Sequence, residues 1–472
     1  MVTDAHPMLR AICFALDLPA TAPDAVQFAG AGALPSYYAV TDFAAVSIGA
    51  AGLAMRELML AQGTRDQREQ HDRPDRPVHV DRRLASLWFG WSVAPVGWER
   101  PPLWDAVAGD YATADGWIRL HTNAPHHRQA ALAVLGCAPD RAAVAQAVAQ
   151  WQGAALETAV VDHGGCAAQM RSAAEWRMHP QGRAVAAEPL LACDARPHDG
   201  SGAWAGTRHR ARPLEGLKVL DLTRVLAGPV ATRFLAGYGA DVLRIDAPDW
   251  NEPGVIPEVT PGKRCARLDL RQAPDRAVFE RLLAQADVLV HGYRPEALAR
   301  LGYDAPWRRQ HNPALIDVCL DAYGWTGPWA GRRGFDSLVQ MSCGIADHGM
   351  HAQGAKQPVP LPVQALDHAT GYLMAAAVVR AVLARLVEQR VMSARLSLAR
   401  TAALLMAHPG HAGGQSLALV PAGADDYAPQ LEQTSWGPAR RLRPAVTIDG
   451  APIAWDTGAS DLGSAPPQWR RP

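Results

Sequence analysis

The stretch LKVLDLTRVLAGPVATRFLAGYGADVLRID (217–246) decides the fold. It opens on a short apolar run, LKVLDL, and turns at Gly228-Pro229. It continues as VATRFLAGY with helical spacing and ends in a second apolar run, DVLRID. Gly239 is placed to stop the helix, because glycine enters the left-handed conformation of a C-cap without a Cβ clash. Strand, helix and strand at this spacing make a parallel βαβ crossover. The alternation continues through CARLDL (265–270), a helix from Pro274 to Ala286, DVLVHGY (287–293) and ALIDVCL (314–320). The expectation is an α/β chain with a Rossmann-like, mainly parallel large domain over 217–409.

Upstream, residues 198–216 are rich in Gly, Arg and Pro, lack apolar periodicity and read as a linker. The region before it, 1–197, has a different pattern. GDYATA, Asp115-Gly116 and WIRLH read as a hairpin over 109–121, since Asp-Gly suits a type I′ turn. Helical stretches at 127–137 and 141–151 join it to make a smaller α+β unit over about 104–190. Residues 64–79 are charged enough to form an exposed loop, and 410–472 read as irregular structure or strands. Two segments echo each other: 39–58 and 364–383 each place an Asp just before a long Ala-rich helix. Such helices resemble one another by chance, so the echo alone carries no duplication.

Composition excludes several classes. The 46 basic and 46 acidic residues balance, which argues against a basic face for nucleic acid. Seven scattered cysteines without a C-x-x-C pair suggest neither a disulfide framework nor a zinc knuckle. No leader pattern opens the chain, and no apolar run reads as long enough to span a bilayer; the best candidate, 372–386, is interrupted by Arg380. The expectation is a cytoplasmic protein without a metal. His126, His127, His348 and His351 lack the H-E-x-x-H pattern, and Cys343 reads as a buried small residue.

Two places could carry chemistry. The helix start after 217–222 can attract phosphate through its unpaired N–H groups, and Asp246 could accept ribose hydroxyls. The loop lacks G-x-G-x-x-G, so a dinucleotide site is the weaker reading. Asp367 precedes an almost wholly apolar helix. It reads as an N-cap, and a carboxylate kept ionised there by the helix dipole would also suit a nucleophile.

The residues then say more than their spacing. PLEGLKVLDLTRVLAGPVATRFLAGYGADVLRID (213–246), GKRCARLDL (262–270), ADVLVHGYRPEALARLGY (286–303), NPALIDVCLDAYGWTGPWAGRRGFDSLVQMSCG (312–344) and LDHATGYLMAAAVVRAVLAR (366–385) follow in order. Together they resemble the class III CoA-transferases, the family of formyl-CoA transferase and the carnitine CoA-transferases. The resemblance implies that family's fold. It also implies transfer of CoA from an acyl-CoA to a carboxylate through an aspartyl anhydride and an aspartyl-CoA thioester. Asp367 falls on the nucleophile. Arg224, Val225, Leu226, Ala227, Tyr293, Arg300 and Arg333 fall on CoA-contacting positions, and Gly344 or Gly371 could offer oxyanion N–H groups. Coenzyme A is implied as substrate, with no tightly bound cofactor, and a homodimer is expected.

The chain also departs from the family pattern. Phe335 stands where related racemases have a histidine, which disfavours a racemase, and Ala247 follows Asp246 where the family often has a charged residue. Segment 104–190 looks like the family's small domain and 36–90 like its Asp helix with the following strand and helix, yet both precede the linker. The chain is therefore expected to be a permuted or fused pair of family halves. Asp42 is the counterpart of Asp367, and Asp367 is preferred because only its half carries the CoA-binding blocks. The alternatives are a degenerate CoA-binding protein without turnover and a structural subunit of a hetero-oligomer.

Overall fold

The computed structural model describes residues 6–62, 76–199, 204–207, 209–408 and 417–470. Most of the charged segment 64–79, together with parts of 198–216 and of 410–472, lies outside the described residues.

In the first part of the chain, β1 (Val26–Ala29) and β2 (Val78–Asp81) pair in parallel, with the long helix α1 (Val40–Ala61) between them and α2 (Arg82–Trp88) after β2. After β3 (Val93–Pro95) come β4 (Gly109–Ala112) and β5 (Trp117–Leu120), which form the expected hairpin, and β6 (Ala167–Gln169) extends it. Helices Pro125–Leu135, Arg141–Val148 and Gly153–Asp162 pack on this small sheet through Leu135, Val144, Leu156 and Val160.

The largest sheet has seven strands in the order β10-β9-β8-β11-β12-β13-β7. Its members are β7 (Ala192–Pro197), β8 (Lys218–Leu222), β9 (Asp241–Asp246), β10 (Arg264–Arg267), β11 (Val288–His291), β12 (Ile316–Asp321) and β13 (Arg390–Ser397). The run from β10 to β13 is parallel, and β7 closes the edge antiparallel to β13. Thus β7, which precedes the expected linker, belongs to the large sheet. Parallel strands are covered on both faces. Here Val219, Val288 and Val318 face one core, and Leu220, Leu289 and Leu243 face the other. From β8 the chain first winds outward to β9 and β10, then crosses back to β11. That reversal opens a crevice at the carboxyl ends of β8 and β11, the place where open α/β sheets take ligands.

Four further helices line this crevice: α3 (Ala227–Gly237), α4 (Asp336–Cys343), α5 (Ala365–Leu383) and α6 (Leu398–Met406). Segments Val40–Ala61 and Ala365–Glu388 have the length and hydropathy (1.4 and 1.5) of membrane spans, contrary to the sequence reading. They are 78% and 83% buried within the protein, where α1 and α5 pack on each other, and Arg380 is neutralised by Asp17 at 2.9 Å and Glu388 at 2.7 Å. The C-terminal segment forms strands. β14 (Glu432–Thr434) pairs with β15 (Gly437–Arg441), which adds to β3, while β16 (Val446–Ile448) adds to β2. A buried cluster locks these parts: Glu258 accepts from Arg233 of α3 and from the Ser92 N–H (2.9 Å), and Arg441 lies 3.7 Å away.

One glycine sets how α3 and α5 meet. A Cβ on Gly371 would stand 2.4 Å from the Ala227 carbonyl oxygen and 2.8 Å from the Val230 side chain. Gly371 is four residues after Asp367 and so shares its helix face. Asp367 is thereby aimed at the start of α3. Gly371→Ala forces the two helices apart, and overpacking of this kind costs about 1–3 kcal/mol. Urea denaturation is expected to show a loss in that range, and an unchanged midpoint contradicts the close approach.

Candidate functional site

A cavity of about 310 Å³ occupies the crevice. It gathers Arg224, Val225 and Ala227 from the loop after β8, Tyr293 and Arg294 from after β11, Asp321 from the end of β12, Arg333 and Phe335 from before α4, and Asp367 from α5. The small unit supplies His126 and His127 from across the crevice. Six of the eight expected site residues therefore meet in one place.

The other two do not line the cavity. Leu226 is buried against Val255 and Val259, and the Arg300 side chain is 70% exposed, 3.6 Å from Glu296. Gly344 and Gly371 do not line it either. Gly344 is packed on Ser172 and Ala173, and Gly371 on Ala227. At the start of α3 the N-cap residue Leu226 supplies no side-chain bond, so the first backbone N–H groups of that helix have no side-chain acceptor from their cap. Asp246 is unavailable to a ribose, because it is buried with both oxygens held by Arg244 at 2.8 and 3.1 Å.

The loop after β8 is held in an uncommon shape. Val225 has φ +63°, a left-handed conformation costly for a β-branched residue. Its N–H donates to Glu252 at 2.9 Å, and Glu252 is fixed in turn by Trp250 at 2.9 Å and by Arg244. The Arg224 guanidinium lies 4.1 Å over the Trp250 ring and 5.2 Å from that of Tyr293, cation–π contacts that position it without consuming its charge. Arg333 donates to the Gly164 carbonyl at 2.9 Å and faces Arg294, which is 3.3 Å from Glu296. Arg332, by contrast, is tied to Glu157 at 3.0 Å. Arginines gathered from separate loops make an anion site suited to phosphate.

Asp367 is the third residue of α5; Gln364, not Asp367, is the N-cap. Its carboxyl is nearly buried, and burial together with the nearby Asp336 carboxyl raises its pKa well above the ordinary value. The expectation of a carboxylate kept ionised by the helix dipole is therefore corrected: desolvation wins here. Asp336 is fully buried, and its Oδ2 accepts the Asp367 N–H at 2.9 Å. Burial pushes Asp336 up to about 6, against hydrogen bonds from the Asp367 N–H and from Gln340. Two carboxyls this closely linked resist ionising together. Asp321, also in the cavity, is pushed up to about 8 by burial. His127 is pushed down to about 3 by burial and by the neighbouring His126 and Arg333.

The pattern around Asp367 recurs at Asp42, the third residue of α1. The N-cap angles match (φ −73°, ψ 56° at Ala39; φ −75°, ψ 63° at Gln364), and each helix leads to a strand and then a short helix capped by a side chain, Asp81 or Ser397. Asp42, however, is paired with Arg82, lies 4.0 Å from His6 and is absent from the cavity. Among the described residues, one cluster has metal-ligand geometry, His291, Asp317 and Cys319. Asp317 is already bonded to Arg308 at 2.6 and 2.9 Å, and none of the three lines the cavity.

The sequence reading missed Asp336, Asp321, Trp250 and Arg294, and treated His126 and His127 only as possible metal ligands. The two histidines arrive from a unit distant in sequence, and Asp336 acts through a backbone N–H 31 residues away. Neither leaves a spacing to read.

The model of CoA-transferase family III matches residues 214–428. An acetyl-coenzyme A transferase of Hypoxylon pulicicidum is 38% identical over 179 residues, 37% of this chain and 30% of that protein. A probable fatty acyl-CoA transferase of Mycobacterium tuberculosis is 34% identical over 193 residues, 38% of this chain and 48% of its own. A succinate–glutarate CoA-transferase of Agrobacterium fabrum is 32% identical over 189 residues, 36% and 47% respectively. The matches span less than half the length of these relatives. A crystal structure of the mycobacterial protein aligns over 42% of this chain and 58% of that one at 31% identity, with a TM-score of 0.39. Over residues 214–428, slightly less than half of its length, this chain is similar to CoA-transferase family III.

Proposed function

We propose that the chain transfers CoA from an acyl-CoA thioester to a carboxylate, with Asp367 as nucleophile. The observation that carries this is one buried carboxyl sharing a cavity with Arg224, Arg294 and Arg333 at the switch point of the sheet. The arginines and the start of α3 suit the CoA phosphates.

An Asp367 oxygen attacks the thioester carbonyl, the C–S bond breaks, and CoA leaves as thiolate with a mixed anhydride behind it. The thiolate attacks the Asp367 carbonyl of that anhydride, releasing the donor carboxylate and leaving an aspartyl-CoA thioester. The acceptor carboxylate repeats the two steps and frees Asp367. Each step trades one activated acyl group for another, and no proton is consumed. α-Proton exchange is disfavoured, since Phe335 is no base and a histidine held down at about 3 is a weak one. Asp42 serves as scaffold: the repeated geometry supports two fused family halves, of which only the second keeps a working site. Small unit and large sheet meet within one chain, so a homodimer, though expected, is not needed to complete the cavity. We place the enzyme in the cytoplasm, with CoA as substrate and no tightly bound cofactor.

Intact-protein mass spectrometry after incubation with a panel of acyl-CoAs tests the reading. A CoA or acyl adduct removed by hydroxylamine is expected in wild type and Asp42→Asn, and none in Asp367→Asn. Loss in Asp42→Asn alone moves the site to the first half, and absence of any adduct despite CoA binding favours a protein that binds without turnover.

The pH profile gives a second test. Asp367 must be ionised to attack, and its pKa is raised, so adduct formation is suppressed at low pH and grows as pH rises through that raised value. Asp336→Asn removes the like charge. The acid limb is then expected to move down by about one pH unit or more, as loss of a neighbouring carboxylate dictates. An unmoved limb contradicts the coupling.

A further inference from the structure

A second cavity, of about 200 Å³, adjoins the first. Val225, Trp250 and Phe335 line both, which places this second cavity directly beside the one that holds Asp367. Its walls are largely apolar and aromatic: Leu103, Trp104 and Val255 face the shared residues. His121 lies flat on Phe335 at 3.6 Å, with Trp104 edge-on at 5.8 Å, and burial keeps its imidazole neutral.

The charge in this cavity differs from that of the first. Among the described residues, no arginine or lysine lines it. Its two carboxylates are committed: Asp105 accepts from Thr122 at 2.7 Å and Arg128 at 3.1 Å, and Glu252 from the Val225 N–H, Trp250 and Arg244. Arg119, stacked over the Trp104 ring at 4.8 Å, is held by Asp110 at 2.8 Å. A carboxylate entering here would meet two carboxyl groups and, among the described lining residues, no cation, and an unpaired buried charge is costly. An apolar group meets no such cost. A dry cavity of about 150 Å³ accommodates a benzene ring.

We propose that this cavity seats the organic group of the reacting acid, and that the group is uncharged: a single aromatic ring or a compact alkyl chain of a monocarboxylic acid, not the second carboxylate of a dicarboxylic acid. The assignment rests on the CoA-transferase reading and adds the substrate class to it.

Calorimetric titration of the full chain with CoA, phenylacetyl-CoA and succinyl-CoA tests it. Phenylacetyl-CoA is expected to bind about tenfold or more tighter than CoA, the gain from burying a ring, and succinyl-CoA no tighter than CoA. In Asn251→Arg, which adds a cation at the exposed rim, succinyl-CoA is expected to gain about twofold or more on phenylacetyl-CoA, the scale of an exposed ion pair. Tighter binding of succinyl-CoA than of phenylacetyl-CoA to the wild type overturns the proposal. Equal binding of all three overturns it while leaving the CoA site intact. Failure of all three to bind overturns the transferase reading as well.

Discussion

The site depends on how closely α5 approaches α3. Gly371 leaves the Ala227 carbonyl 2.4 Å from where a Cβ would stand, and the helix period then puts Asp367, one turn earlier, over the loop Val225–Ala227. Gly228 repeats the device, since a Cβ there would stand 2.3 Å from the Thr223 side chain. Around this contact the buried Asp221 accepts from Thr223, Thr232 (2.5 Å) and Lys263 (3.1 Å), which pins the end of β8 to α3. The proposed nucleophile Asp367 and the proposed anion-binding loop, from segments about 140 residues apart, are thereby held in fixed relation, the kind of preorganisation catalysis needs.

Burial gives that carboxyl its character. In a low-dielectric pocket beside Asp336, Asp367 is poorly stabilised as an anion and correspondingly reactive once ionised. The helix start works in the opposite sense, but the N–H of Asp367 itself donates to Asp336 and not to its own side chain. The raised value at Asp321 has a related consequence: a protonated carboxyl in the cavity does not repel an anionic ligand.

Much of this was legible in the sequence because it was local. Strands β8, β9, β11 and β12 and their crossovers follow from apolar runs and turn residues, and Arg224, Val225, Ala227, Tyr293, Arg333 and Asp367 follow from the ordered blocks. What the sequence does not carry is long-range. Leu226 and Arg300 sit in the same segments but do not line the cavity, and only packing decides which side of a loop or a short helix faces a crevice. The ionisation of Asp367 was misjudged because desolvation is a property of the assembled core. The echo between Asp42 and Asp367 was visible as composition, but its meaning required backbone angles and the Arg82 pair that sets the two carboxylates apart.

The most direct test is a structure of the Asp367→Asn protein with an acyl-CoA bound. The account predicts phosphates against Arg224 and Arg333, with the thioester carbonyl carbon about 3–3.5 Å from the residue-367 side chain, the separation of a near-attack geometry. CoA bound elsewhere on the chain, or bound here with its thioester turned away from residue 367, contradicts it.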